Sequence, residues 1–268
     1  MTKLVELDIK NIIDICNNTP YKLDHELKYS YYKIQPTFKL QDKIKLEYYI
    51  IRKKLNNNSN IPLYVIVGLS NNSLCNNLLV LNNNIDKIKD IYSEIIFLIF
   101  DKNIKNKHTD FIKLYENNDD FKKYNNKDKH NAINDKMKSI MAQHCSKFIK
   151  NINKASNYKH IDVLGVSFGG GVLVFLTQIK NIKVRKLMLM APAIFEGFKN
   201  LSTKQNIILG WCIQDTKVLY ETHGKRLIND LKNFSNKTIV LTDLGKDESN
   251  EDITHRLQNG LFDIISTN

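Results

Sequence analysis

Arginine is scarce in this basic sequence of 268 residues. Lysine and arginine together number 40 against 28 aspartates and glutamates, which gives a formal net charge of +12, yet only four of the basic residues are arginine. Arginine is the side chain that usually reads phosphates and guanines through its planar fork. The lysines accompany asparagine and isoleucine, a combination typical of AT-rich coding. We therefore expect no nucleic-acid partner; a basic surface that binds nucleic acid or anionic lipid is the alternative.

Long apolar runs and paired cysteines are also lacking. No stretch approaches the roughly 18 to 20 apolar residues that span a bilayer, and the charged N-terminus lacks the apolar core of a secretory signal. Cys16, Cys75, Cys145 and Cys212 include no C-x-x-C pair, so no zinc or thioredoxin-like motif is supported. We expect four reduced, buried thiols in a soluble, cytoplasmic protein without a transmembrane segment.

Short apolar runs alternate with helical patterns after residue 60, which predicts a βαβ-type α/β domain over residues 1–268. Two extended segments precede them, Lys28–Gln35 and Ile44–Lys53, and predict an antiparallel pair. The segment Lys102–Lys129 is dominated by lysine, asparagine and aspartate and is expected to be an insertion loop, either disordered or a lid. Strands are predicted at Ile61–Leu69, Glu94–Phe100, Ile161–Val166, Val184–Ala191, Gln205–Ile213 and Lys237–Leu241, and helices at Leu74–Ser93, Asn131–Lys154, Phe168–Ile179, Val218–Asn233 and Ile253–Ile265.

The most informative segment is a G-x-S-x-G pentapeptide, residues 165–169, between an apolar strand and an apolar helix. A sharp turn from strand to helix holds the serine in a strained conformation, and the flanking glycines, Gly165 and Gly169, avoid a clash. The N–H of Phe168 would point toward a developing oxyanion. The motif predicts a nucleophile elbow at Ser167. The alternative is a glycine-rich turn that binds a phosphate or only packs, although it matches neither G-x-G-x-x-G nor the P-loop.

From about Tyr32 to the C-terminus, the chain resembles the α/β-hydrolase superfamily in the order of its elements as well as in this motif. The strand after the predicted elbow helix ends in Ala191-Pro192-Ala193, similar to the small residue and proline that commonly end the family's next strand. The resemblance implies a mostly parallel, eight-stranded sheet flanked by helices, with the first two strands an antiparallel pair. It also implies serine hydrolase chemistry with no cofactor and no metal.

The resemblance further implies the partners of Ser167, in the family's chain order of serine, aspartate and histidine. Asp215 fits the position of the acid, His255 that of the histidine after the last strand, and the N–H of Leu69 that of a second oxyanion donor. Asp215 could instead form only a turn, with Asp243 as substitute acid, and His255 could instead cap the final helix. The rival histidines, which the sequence places less suitably, are His25, His108, His130, His144, His160 and His223.

Two departures from the family pattern affect the expected substrate. Only Asp101 remains of the D-x-x-G-x-G-x-S turn, and about a dozen residues between Ala193 and Gln205 are too few for a large cap domain. We expect a cap-poor, esterase- or lipase-like enzyme acting on a small-molecule or lipid-like acyl substrate, with thioesterase and peptidase activity also open.

The alternative is a catalytically inactive α/β-hydrolase-fold binding or scaffold protein. If the excess charge has a functional part, we expect it in Lys102–Lys129, where it would favour anionic substrates or peripheral contact with an anionic membrane surface.

Overall fold

The uninterrupted apolar runs of the sequence lie in buried strands. A computed structural model describes residues 3–19, 21, 23, 28–41, 44–100, 104–196, 205–231, 235–242, 244 and 257–267. Within these ranges the strands are β1 (Lys3–Leu7), β2 (Ser30–Gln41), β3 (Ile44–Lys54), β4 (Pro62–Ile66), β5 (Glu94–Phe100), β6 (Ile161–Val166), β7 (Val184–Met190), β8 (Gln205–Gly210) and β9 (Ser235–Leu241).

These nine strands form one mixed sheet in the order β1-β2-β3-β5-β4-β6-β7-β8-β9. Neighbours from β1 to β5 pair antiparallel, whereas neighbours from β5 to β9 run parallel. Every residue of β4, β5 and β6 is buried, as expected for central strands covered on both faces. The mostly parallel sheet and the antiparallel pair of β2 and β3 are confirmed, although the strands number nine rather than eight.

The additional strand is β1, at the edge of the sheet. It pairs with β2 from Lys3 opposite Gln35 to Leu7 opposite Tyr31. Its side chains are exposed or half-buried, without a fully buried position. A short edge strand that carries charged residues gives only a weak apolar pattern, which is why the sequence did not reveal it.

Helices cover both faces of the sheet, and the buried residues accordingly form two clusters, one on each face. α4 to α7 pack on one face, and α1 to α3 with α8 pack on the other. The helices are α1 (Lys10–Asn17), α2 (Asn71–Asn83), α3 (Ile85–Ile88), α4 (Ile104–Glu116), α5 (Asn126–Ser156), α6 (Phe168–Thr177), α7 (Lys225–Leu231) and α8 (Gly260–Thr267), with a 3₁₀ turn at Asp119–Phe121 and a π-helical turn at Tyr220–Gly224.

α5 is the long amphipathic helix that the apolar spacing predicts. Asn125 caps it by accepting the N–H of Asp128 at 2.9 Å, and it ends where Asn157 takes a left-handed conformation with φ 56°. Although α5 has 31 residues, no helix in the ranges given above is long and apolar enough to cross a membrane. Its buried stripe includes Ile133, Met137, Met141, Cys145, Phe148 and Ile149.

The segment at about 102–129, expected to be an insertion loop, is largely helical. α4 occupies its first half, and α5 begins within it; Lys102 lies outside the described residues. Ile104, Phe111 and Phe121 are buried under the polar surface. A few apolar side chains at helical spacing are enough to dock a helix, and the many lysines and asparagines around them obscured this pattern.

Two of the four cysteines form a disulfide, so the expectation of four reduced thiols is wrong. Cys16 in α1 is bonded to Cys75 in α2, with Cα atoms 5.3 Å apart and a sequence separation of 59 residues. Their proximity results from the packing of α1 against α2, which cysteine spacing cannot reveal. Cys145 and Cys212 are free and buried. Disulfides persist mainly in oxidising compartments, so the bond weighs against the cytoplasmic location, which stays a prediction.

A buried ion pair ties β3 to the start of β5, and its removal should destabilise the protein. Nε and Nη2 of Arg52 donate to the two carboxylate oxygens of Glu94, at 2.7 and 2.8 Å. The Glu94 side chain is 1% exposed. Glu94→Gln should lower the free energy of unfolding by about 2 to 4 kcal/mol, because it leaves a largely buried guanidinium without its counter-charge. Urea denaturation measures the change.

Asp86→Asn is the matched control, because it breaks an exposed pair with Lys89 and should leave the urea midpoint unchanged. A Glu94→Gln midpoint equal to that of the wild type would contradict the prediction.

Candidate active site

Ser167 joins β6 to α6 in a backbone conformation that few residues adopt. Its φ is 53° and its ψ is −120°, a strain of about 1 to 3 kcal/mol for a residue other than glycine. Three backbone hydrogen bonds hold it in place. Its N–H donates to the carbonyl of Met190 at 2.9 Å, and its carbonyl accepts the N–H groups of Gly171 at 3.1 Å and Ala193 at 2.9 Å. The end of β7 and the loop after it therefore fix this turn.

The two glycines of the pentapeptide lie where no side chain fits. A Cβ on Gly169 would lie 2.6 Å from the carbonyl oxygen of Val67 and closer still to that of Ile66. A Cβ on Gly165 would lie 2.7 Å from the Cα of Gly170. The first turn of α6 therefore packs directly against the backbone at the end of β4, as the motif requires.

The two amides predicted to stabilise an oxyanion follow neighbouring strands. β4 and β6 pair in parallel with Ile66 opposite Gly165, so the residues after each strand lie at the same edge of the sheet. A Cβ on Gly68 would lie 3.9 Å from that of Ser167, which brings the turn after β4 beside the serine. The described residues offer no acceptor to the N–H of Leu69 or to that of Phe168, the first residue of α6.

Two serines that the sequence did not single out fix the turn that carries Leu69. The hydroxyl of Ser73 accepts the N–H of Gly68 at 3.0 Å. Ser70 caps α2, because its hydroxyl accepts the N–H of Ser73 at 3.1 Å. Leu69 therefore lies between two anchored residues. Serines soon after the end of a strand are the sequence signal that could have identified them.

Asp215 lies in the segment that follows β8, and its side chain is buried. The residue is 1% exposed, and Oδ1 accepts the N–H groups of Lys217 at 2.8 Å and Val218 at 3.0 Å. The indole N–H of Trp211 donates to the carbonyl of Val218 at 2.7 Å. These bonds hold the carboxylate in one orientation at the same edge of the sheet as Ser167.

The histidine and the substitute acid of the sequence-based prediction, His255 and Asp243, lie outside the described residues. Leu244 and Leu257, which flank residues 245–256, are described. Leu257 is buried. A side-chain methyl of Leu244 lies 2.8 Å from the place of a Cβ on Gly210, at the end of β8, and the other lies 3.0 Å from that of Gly260. Leu244 therefore links the carboxyl end of β8 to the start of α8.

Two other histidines, which the sequence did not place at the site, lie close to Phe168 and to the loop after β7. The ring of His108, in α4, is 6.1 Å from that of Phe168, and its Nε2 lies 2.5 Å from Oδ1 of Asn134. His223 is half-buried, with Nδ1 3.4 Å from the carbonyl oxygen of Ile194. Burial lowers the pKa of both rings below the usual value.

The remaining histidines lie away from Ser167 or outside the described residues. Burial lowers the pKa of His144 to about 4, and its ring contacts the hydroxyl of Tyr48. His130 is exposed, His160 precedes β6 at the opposite edge of the sheet, and His25 is not described. In the part of the chain that is described, no three His, Cys, Asp or Glu side chains are grouped to hold a metal ion.

A cavity of about 170 Å³ opens beside Phe168. Its walls come from α5, the loop after β7 and the segment after Asp215. Asp135 and Lys138, one turn apart in α5, form an ion pair of 2.8 Å there, with side chains 2% and 5% exposed. This pair was not predicted from the sequence; charged residues three apart beside the apolar stripe of α5 are the signal that could have revealed it.

The comparisons with known proteins identify a shared architecture. No family model matches the chain, and no curated protein matches it. A structure of YahD with malic acid is 13% identical, with a TM-score of 0.52 over 81% of this chain and 96% of that one. A carboxylesterase from Mesorhizobium loti is 12% identical, with a TM-score of 0.50 over 86% and 97% of the two chains.

A thermostable esterase is also similar, at 12% identity and a TM-score of 0.50, over 87% of this chain and 59% of that one. Identities this low establish the architecture and leave the activity open. The chain has the α/β-hydrolase fold, in agreement with the resemblance found in the sequence.

The strain at Ser167 leads to a stability prediction. Ser167→Gly should be more stable than Ser167→Ala by about 1 kcal/mol, because both variants remove the hydroxyl but only glycine adopts this backbone conformation without strain. Urea denaturation of the two variants measures the difference. An alanine variant as stable as the glycine variant, or more so, would show that the turn is not strained.

Proposed function

We propose that this chain, with its α/β-hydrolase fold, is a serine hydrolase that cleaves a carboxylic ester or a related acyl bond through an acyl-enzyme. The observation that carries the proposal is the strained backbone of Ser167, beside two amides that have no acceptor among the described residues. Such strain persists where the surrounding structure enforces it, and it is frequent at active sites. The solved structures that share the fold include an esterase and a carboxylesterase, which supports this class of reaction.

The reaction follows from the chemistry of these residues. Oγ of Ser167 attacks the acyl carbon while His255 takes the hydroxyl proton; the bond to the leaving alcohol then breaks, and His255 returns the proton to it. A water molecule, deprotonated by the same histidine, attacks the acyl-enzyme and releases the carboxylic acid and Ser167. This sequence of steps requires no metal and no cofactor.

Asp215 is the proposed acid, which orients His255 and stabilises its imidazolium form. Its burial and the two N–H groups that donate to Oδ1 support this role, because they fix the carboxylate independently of the histidine. His255 is two residues before the buried Leu257 in the chain. Leu244 packs between Gly210, at the end of β8, and Gly260, at the start of α8. Leu244, which precedes the segment with His255 in the chain, thereby connects the strand before Asp215 to the start of α8.

The N–H groups of Leu69 and Phe168 are the proposed oxyanion donors. A tetrahedral intermediate carries its negative charge on the former carbonyl oxygen, and a fixed amide donor stabilises this charge by about 3 to 4 kcal/mol in the transition state. Both amides lack acceptors among the described residues. The anchoring of the Leu69 turn by Ser70 and Ser73 supports a donor held in place before substrate binds.

Esterase- or lipase-like activity is the first expectation within this class, and thioesterase and peptidase activity use the same chemistry. The strain at Ser167 argues against an inactive scaffold, for which it would cost stability without a function. Peripheral contact with an anionic membrane stays a prediction.

A fluorophosphonate probe tests the nucleophile. It should label the wild-type protein at Ser167, as mapped by peptide mass spectrometry, and should not label Ser167→Ala. His255→Ala should reduce the labelling rate by at least about 100-fold, because the hydroxyl loses its base. Circular dichroism verifies that each variant is folded. A folded wild-type protein that stays unlabelled at Ser167 would refute the proposed function.

The identity of the acid is tested by two amide substitutions. Asp215→Asn should lower kcat on an aryl ester by about 10⁴-fold, because the amide favours the wrong histidine tautomer. Asp243→Asn is the matched control and should change kcat by less than about 10-fold. The reverse pattern would assign the acid to Asp243 and leave Asp215 as a turn former.

A further inference from the structure

Lys138 places an ammonium group inside the cavity beside Phe168. The residue is 4% exposed, and its Nζ lies 5.4 Å from the centre of the Phe168 ring. Its aliphatic stem packs on α6, where a Cβ on Gly171 would lie 2.8 Å from Cδ of the lysine. An ammonium group is rarely buried to this extent unless it has a partner or a function.

The partner of Lys138 is shared with other donors. Oδ1 of Asp135 accepts one hydrogen bond from Nζ at 2.8 Å. Oδ2 accepts the N–H groups of Phe195 at 2.8 Å and Glu196 at 2.7 Å. The carboxylate is therefore well satisfied, whereas the ammonium group has three N–H bonds and gives one of them to the described residues.

The rest of the cavity has no second acidic group among the described lining residues. Lys217 and His223 also line it, so Asp135 is the single acidic residue among one histidine and two lysines. The wall includes Phe168, which directly follows Ser167, and Val218, whose N–H holds Asp215. The cavity thus adjoins the residues of the proposed reaction, and the buried ammonium group of Lys138 lies in its wall.

The size of the cavity sets a limit on what it can hold. A cavity of about 150 Å³ accommodates benzene, so this one, of about 170 Å³, has room for roughly six non-hydrogen atoms. A short acyl chain that ends in a carboxylate has this size and supplies acceptors for the N–H bonds of Lys138 that have none among the described residues.

We propose that this cavity binds the acyl chain of the substrate and that Lys138 selects acyl groups with a terminal carboxylate, so that the preferred substrates are monoesters of short dicarboxylic acids. The proposal rests on the proposed function, because it assigns the substrate class of the same site. The products are then the free alcohol and the dicarboxylate. A purely structural role for the ion pair would give no preference between charged and neutral acyl chains.

The test compares two esters of matched shape. Monomethyl glutarate carries a carboxylate at the end of its acyl chain, and methyl 5-methylhexanoate carries an isopropyl group in the same place. In a pH-stat assay, the wild type should have the higher kcat/KM for monomethyl glutarate. Lys138→Met should reduce this preference by roughly 10- to 100-fold, the value of a desolvated, charge-assisted hydrogen bond.

The matched control is Lys136→Met, an exposed lysine on the same helix, which should keep the wild-type preference. If turnover is slow, the protection of Ser167 from the fluorophosphonate probe by each ester gives the same comparison. If Lys138→Met does not fold, the two esters are compared in the wild type alone. Equal kcat/KM and equal protection for both esters would overturn this inference alone. A wild-type protein that the probe does not label would overturn the proposed function and this inference with it.

Discussion

The contact between the first turn of α6 and the end of β4 is the constraint on which the candidate site depends. At Gly169 the helix lies so near the carbonyl groups of Ile66 and Val67 that no side chain fits between them. The chain enters α6 this close to β4 by turning sharply at Ser167. The same contact brings the amide of Phe168 and the turn after β4 to one edge of the sheet. The backbone, more than any side chain, therefore sets the geometry of the site.

The strained turn at Ser167 is held in place by residues far from it in the chain. The loop after β7 gives the N–H of Ala193 to the serine carbonyl, and Asp135 anchors this loop through the amides of Phe195 and Glu196. α5, which precedes β6 in the chain, thus supports the turn that follows β6. Since the same carboxylate holds the ammonium group in the cavity, the proposed nucleophile and the proposed acyl cavity share one support, and a change at Asp135 would affect both.

The features that could be predicted from the sequence are local ones. Continuous apolar runs indicated the central strands, and the pentapeptide around Ser167 indicated the strained turn, because each pattern is complete within a few residues. The resemblance supplied Asp215, which lies buried at the expected edge. The disulfide of Cys16 and Cys75 and the cavity lysine, Lys138, depend on which helices pack together, and neighbouring residues do not encode this. In α4, lysine and asparagine outnumber the two buried side chains, Ile104 and Phe111, so the composition concealed the helix.

The lack of a side chain at Gly171 affects the cavity from outside its wall. The residue is absent from the wall of the cavity, yet the stem of Lys138 occupies the space that a side chain at position 171 would fill. A Cβ there would also lie close to the carbonyl oxygen of Ala193, so a methyl group would push both Lys138 and the loop after β7 away from α6. The absence of a side chain at position 171 therefore serves the proposed acyl cavity and the support of Ser167 together.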